Sequence, residues 1–241
     1  MRALSLLGFI LLWQIGAQLL ATPTLPTPAN VIASLWEHLT EGDLLSNLGI
    51  TLWRVLLSFT IAMVVGTAVG ILMGRYPVLD NLLDGVLVLG LNIPALVTII
   101  LCYIWFGLVE AAAVTAVAVN KIPTVIVTVR EGARAVDRKL LEVADAFRLP
   151  WMRKLTKVYV PQLYPYLMAA ARSGLALIWK IVLVVELLGR SDGVGFQLGT
   201  FFQFFDITSI LAYTLAFAAV VLLVEAMLMR PIDTRIARWR P

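Results

Sequence analysis

The chain has 241 residues, 61% of them hydrophobic and only 14% charged, with a net charge of +4 and a mean hydropathy of +0.92. Soluble domains carry about a quarter of their residues as charges, so a soluble fold, which would have to hide this much apolar surface, is excluded. Nucleic acid is excluded as a partner, because the basic residues are gathered into a few segments instead of covering a face, and the single cysteine, Cys102, allows neither an intrachain disulfide nor a cysteine metal site.

Each crossing of a bilayer needs roughly 20 mostly apolar residues. The first such run, 4–20, follows Arg2 and reads as a span rather than a cleavable signal peptide, since Leu19 and Ala21 make a poor cleavage site. Residues 21–47 interrupt it with Pro23, Pro26 and Pro28. Val31, Ile32, Leu35, Trp36 and Leu39 then recur at helical spacing and predict an amphipathic helix on the membrane surface. The lone His38 sits there among Glu37 and Glu41 and reads as a surface residue; no metal site is expected.

The second span, 48–73, contains Arg54, expected to snorkel to the headgroups. Gly66, Gly70 and Gly74 put small residues on one face, a pattern for close helix packing. A third span, 85–106, is predicted to kink or start at Asn92-Ile93-Pro94, because proline removes a backbone donor. A fourth covers 109–129, a fifth 164–188 and a sixth 207–229. The sequence thus predicts an all-α fold, a polytopic membrane helix bundle of six transmembrane helices. Fourteen of the 19 Lys and Arg residues (Arg2, Arg75, eight between Arg130 and Lys157, four from Arg230 to Arg240) fall on one side, which places both termini in the cytoplasm.

The loop 130–163 is far longer than a turn requires, and long loops in compact proteins tend to be functional or disordered. Here Leu140, Leu141, Val143, Ala144 and Phe147, then Trp151, Met152, Leu155 and Val158, repeat at helical spacing among charges, predicting two amphipathic helices with Pro150 as the first residue of the second. Eight basic residues suit the inner leaflet. Four acidic ones, Glu131, Asp137, Glu142 and Asp145, suit a groove on another protein.

The run Leu141-Glu142-Val143-Ala144-Asp145-Ala146-Phe147, leading to Val158-Tyr159-Val160-Pro161, resembles the EAA loop of ABC importer permeases. Leu25-Pro26-Thr27-Pro28, Thr51-Leu52-Trp53-Arg54-Val55, Ile104-Trp105-Phe106-Gly107, Val136-Asp137, and Glu186-Leu187-Leu188-Gly189 with Gly193-Val194-Gly195 extend the likeness over nearly the whole chain. In that order they are similar to permeases of the nitrate, sulfonate and taurine importers. The resemblance implies a bacterial inner-membrane subunit that pairs with a second permease copy, two ABC ATPase subunits and an extracytoplasmic substrate-binding protein. It places the coupling element at Leu140, Leu141, Glu142, Ala144, Asp145, Phe147, Arg148 and Trp151. ATP and Mg belong to the ATPase, and no cofactor is expected in this chain; it contains no G-x-x-x-x-G-K-[ST] phosphate loop of its own. One departure is Arg148, where the family has glycine. The turn is therefore expected to be built differently, on Pro150.

Polar groups inside spans are costly and tend to face a bundle interior or a water-filled path. Lys121 with Asn120, and Lys180, are candidates for an electropositive lining, with Asn92 and Glu186 weaker ones. A structural role is the competing reading: Lys180 bonding carbonyls freed at kinks, and Glu186 neutralising a lysine. The cargo is expected to be a small anion such as a sulfonate, taurine or nitrate, with a thiamine-precursor heterocycle as the alternative. An intramembrane enzyme would need a nucleophile and base at mid-membrane depth. His38, the only histidine, lies outside the spans.

Overall fold

The computed structural model describes residues 2–20, 22 and 24–229. Ala21, Pro23 and the Arg230–Arg240 cluster used for the orientation lie outside the described residues, as does the side chain of Arg2. The described residues form helices and no strands: α1 (Arg2–Leu20), α2 (Pro28–Thr40), α3 (Leu44–Arg75), α4 (Pro77–Asn92), α5 (Ala95–Phe106), α6 (Glu110–Arg134), α7 (Arg138–Ala146), α8 (Trp151–Lys154), α9 (Val160–Gly189), α10 (Val194–Gln203) and α11 (Ile207–Val224). Among the described residues, four helices are long and apolar enough to cross a membrane: Leu44–Arg75, Glu110–Arg134, Trp151–Gly189 and Ile207–Met227. α4 and α5 together make a fifth, broken at Ile93-Pro94 by a 99° bend. Among the described residues, α1 also contributes an apolar helix over Leu7–Leu20. These elements are compatible with the expected six.

Local chemistry starts and stops these helices. Thr27 accepts the Asn30 N–H at 3.3 Å with Pro28 in the first helical position, which fixes the start of α2. Asp206 does the same for α11 by accepting from Ser209 N at 3.1 Å. α10, which the sequence did not predict, ends on Phe205 at φ 56.

The described residues of Met1–Leu52 and Glu186–Ile232 form one compact unit, and those of Trp53–Val185 the other. In the first, α2 lies on α11. Val31 is buried, and His38 donates to or accepts from the Ser209 hydroxyl at 3.0 Å with its ring against Phe201 and Tyr213. His38 is therefore a half-buried packing residue and not a surface one. Its imidazole fits an aromatic cluster with its Nε2 partnered by a serine.

In the second unit, α3 is pressed onto α6 along the glycine stripe. A Cβ on Gly66 would stand 2.6 Å from Val125, one on Gly70 2.9 Å from the Ile126 carbonyl, and one on Gly74 2.5 Å from Ala133. The stripe brings two backbones of the same chain together. Arg54 is 2% exposed and ion-paired with Glu110 at 2.8 Å, so it does not snorkel to headgroups. Turning inward gives the guanidinium a carboxylate through two parallel hydrogen bonds. Pro123 remains inside α6, its ring accommodated by Gly90 of α4. Tyr103 closes α5 on α9 by donating to the Val185 carbonyl at 2.8 Å.

Candidate functional site

Between α6 and α9 the chain leaves the apolar bundle and builds α7. Arg130, bonded to Asp84 at 2.7 Å and Asp80 at 3.2 Å, fastens the end of α6 to α4, and Arg134 adds pairs to Asp80 and Glu131. Asp137 then opens α7: its carboxylate accepts the Lys139 N–H at 2.8 Å, and its own N–H donates to Gln162 of α9 at 2.8 Å. The cap thus sets both the start of the helix and its distance from α9.

The exit from α7 corrects an expectation. Arg148 has φ 51, the left-handed conformation that glycine ordinarily supplies. Its N–H donates to the Asp145 carbonyl at 2.8 Å, and Leu149 N donates to the Ala144 carbonyl at 3.0 Å. This pair of bonds is the Schellman closure, which absorbs the orphan carbonyls of a helix end. Arg148 therefore makes the turn itself, at a cost of about 1 kcal/mol relative to glycine. Pro150 is the N-cap of α8 and not its first residue, with φ −57 and ψ 146. The second predicted amphipathic helix is also not separate, because α8 runs through one π-helical turn, Leu155–Tyr159, straight into α9.

Of the eight residues assigned to coupling, Leu140, Glu142, Asp145, Phe147, Arg148 and Trp151 are exposed. Leu140, Val143 and Phe147 follow an i, i+3, i+7 spacing and form an apolar stripe, with Phe147 79% exposed. Asp145 also bonds Lys154 at 2.6 Å. Ala144 is 3% exposed and packs against its own chain, so it supports the stripe and cannot touch a partner. Leu141 is half-buried and lines a cavity behind the helix.

The membrane candidates do not converge. Asn92, exposed, turns its amide back onto the Val88 carbonyl at 2.8 Å. Asn120 is half-buried. Lys121 is 1% exposed, and its ammonium has no hydrogen-bond partner among the described residues; its Cε lies under Gly174, where a Cβ would come within 3.1 Å. Enclosed by the chain's own helices, it lines no open path in this structure. Lys180 is exposed in the middle of α9 and makes no hydrogen bond among the described residues, so it does not bond kink carbonyls.

Glu186 lies in the other unit and is fully buried. It accepts from Thr51 Oγ1 at 3.0 Å and from Gly195 N at 2.8 Å, while Thr51 accepts from Val194 N at 2.9 Å and Asn47 from Gly193 N at 2.8 Å. Three successive N–H groups at the start of α10 are thus taken by side chains, and the carboxylate sits where a helix N-terminus favours negative charge. That knot ties Asn47 and Thr51 of α3 to Glu186 and the start of α10. Asn47 belonged to no motif in the sequence, but Asn47 and Thr51 stand four apart and share a helical face, a spacing that signals joint action.

A family profile described as "Binding-protein-dependent transport system inner membrane component" matches residues 62–237. The chain is 29% identical to the SsuC permease of Bacillus subtilis, named for aliphatic sulfonates transport, over 96% of this chain and 84% of that protein. It is 25% identical to the taurine transport system permease TauC of Escherichia coli, over 94% and 84%. The bicarbonate transport system permease CmpB of Synechococcus elongatus is 26% identical, over 92% and 84%. In fold, the chain resembles a subunit of the inward-facing MetNI methionine ABC transporter, with a TM-score of 0.67 and 18% identity over 84% of this chain and all of that one.

Proposed function

The chain belongs to the binding-protein-dependent transport system inner membrane components, and from that premise we propose that α7 is the element through which a separate ATPase drives transport of a small anion. It is an ABC transporter permease, a transport subunit and not an enzyme. The observation that carries the coupling reading is the exposed stripe of Leu140, Val143 and Phe147, on the helix that also carries the exposed Glu142. An exposed apolar ridge on a helix capped at both ends is pre-organised for a groove on another protein.

In this reading the loop end of the spans faces the cytoplasm, both termini are cytoplasmic, ATP and Mg are bound by two partner ATPases, and a second copy of the chain completes the pathway. An external binding protein delivers the cargo. Sulfonates, taurine and bicarbonate, the cargoes in the relatives' names, each carry an oxyanion, which supports a small anion. Lys180 is the group assigned to it. A lysine exposed in mid-span is costly against lipid and favourable where it lines water or an anion path.

The test is charge reversal at Glu142 in the full chain expressed with its ATPase. Glu142→Lys is expected to lower recovery of the ATPase with the permease by about tenfold, one good charged contact, with membrane insertion unchanged; normal recovery and normal uptake overturn the assignment. Lys180→Gln is expected to leave complex formation intact and cut anion uptake by about tenfold, and full uptake removes Lys180 from the path.

A further inference from the structure

Behind α7 the chain forms an open cleft with a cavity volume of about 640 Å³, in the ordinary range for ligand pockets of about 300–1,000 Å³. Its walls come from places where apolar spans end: Ile71 and Arg75 at the end of α3, Arg138 at the start of α7, Trp151 of α8, and Leu155 and Tyr159 of the π-helical turn. Such turns are inserted at a cost and recur at functional sites. The cavity therefore lies where apolar spans end, and its lining combines apolar side chains with charged ones.

The charges are not equal in standing. Lys154 is neutralised by Asp145, and Arg134 by Asp80 and Glu131. Arg75 has no carboxylate partner among the described residues and rests its guanidinium 5.6 Å from the Tyr76 ring and 6.0 Å from the Trp151 ring. Arg138 also has no carboxylate partner among them. Glu142 is the one lining carboxylate without a pair among the described residues, which leaves the wall with a surplus of positive charge.

We propose that this cavity binds an anionic glycerophospholipid, its phosphodiester taken by Arg75 and Arg138 and an acyl chain laid on Ile71, Leu155 and Val160. Arginine suits the role because its fork matches phosphate oxygens, and the aromatic ring under Arg75 holds the fork in place. The two arginines stand on different elements, one ending a span and one opening α7. A bound phosphate would tie α7 to the membrane helix α3, so that lipid composition sets how firmly the loop helix is held. The inference rests on the reading of the chain as a membrane permease, but not on ATPase docking.

The experiment is lipid retention by the purified full-chain permease, followed by native mass spectrometry with phosphatidylglycerol or phosphatidylcholine supplied at equal mole fraction. The wild type is expected to retain phosphatidylglycerol with about a thirtyfold preference, each basic group near an anionic headgroup contributing roughly a factor of five. Arg75→Gln with Arg138→Gln is expected to abolish the preference, and Arg75→Lys with Arg138→Lys to keep most of it, which separates charge from misfolding. Equal retention of the two lipids by the wild type, or an unchanged preference in the glutamine variant, overturns the proposal. So does displacement of the lipid by excess inorganic phosphate, which would make the site one for the free anion. Because retention needs neither ATPase nor cargo, failure of the coupling assignment leaves this result standing.

Discussion

Glu186 and Lys121 are both closed off from solvent, at 0% and 1% exposure, yet the chain treats them in opposite ways. The carboxylate is met by Thr51 and by the N-terminus of α10. The ammonium lies on the buried face of α6 with Val117, Ala118 and Val125, and has no hydrogen-bond partner among the described residues. The difference teaches where an ionisable group in a membrane helix is architecture. A charge that collects several hydrogen bonds stabilises its surroundings, whereas one that collects none costs free energy unless something outside the chain supplies its partner.

The comparison breaks most readily at Glu186. Glu186→Ala leaves the Gly195 N–H and the Thr51 hydroxyl facing no acceptor, and should destabilise the permease by about 3 kcal/mol, read as a lower thermal midpoint in detergent. An unchanged midpoint would mean that the knot contributes little. Next comes Gly193→Ala. Its φ is 97 and a Cβ would fall 2.5 Å from the Glu186 carboxylate, so a loss of about 2 kcal/mol is expected from strain and displacement of the carboxylate together. The smallest effect, and the opposite sign, is expected at Lys121. Lys121→Met replaces an unpartnered charge with an apolar side chain of similar length and should raise stability by about 1 kcal/mol. A fall in the midpoint instead would show that Lys121 has a partner in the assembled transporter.

Much of the fold could be read from the chain because membrane helices advertise themselves. α6, the fifth predicted span within α9, and the sixth over α11 and the turn that follows it each carry an apolar run long enough to cross. The Gly66, Gly70 and Gly74 stripe signalled close packing. What could not be read is what depends on a partner distant in sequence. Arg54 looked like a snorkelling residue because its carboxylate, Glu110, is 56 positions away. His38 looked like a surface residue because Ser209 is 171 away. Ala144 was expected to take part in coupling with its neighbours on α7, but only packing showed that it faces inward.

The loop between α6 and α9 shows the same division on a smaller scale. Its sequence determined that a short amphipathic helix would form, since Asp137 caps it and Leu140, Val143 and Phe147 space out one apolar face. Tertiary structure decided which side of that helix is free, closed its end on Arg148 at φ 51, and fused the following helix to α9. Capping and periodicity are local, acting over four or five residues, and so are written in the chain. The pairing of buried charges, the strain a turn will tolerate and the face a helix leaves open depend on side chains that only folding brings together.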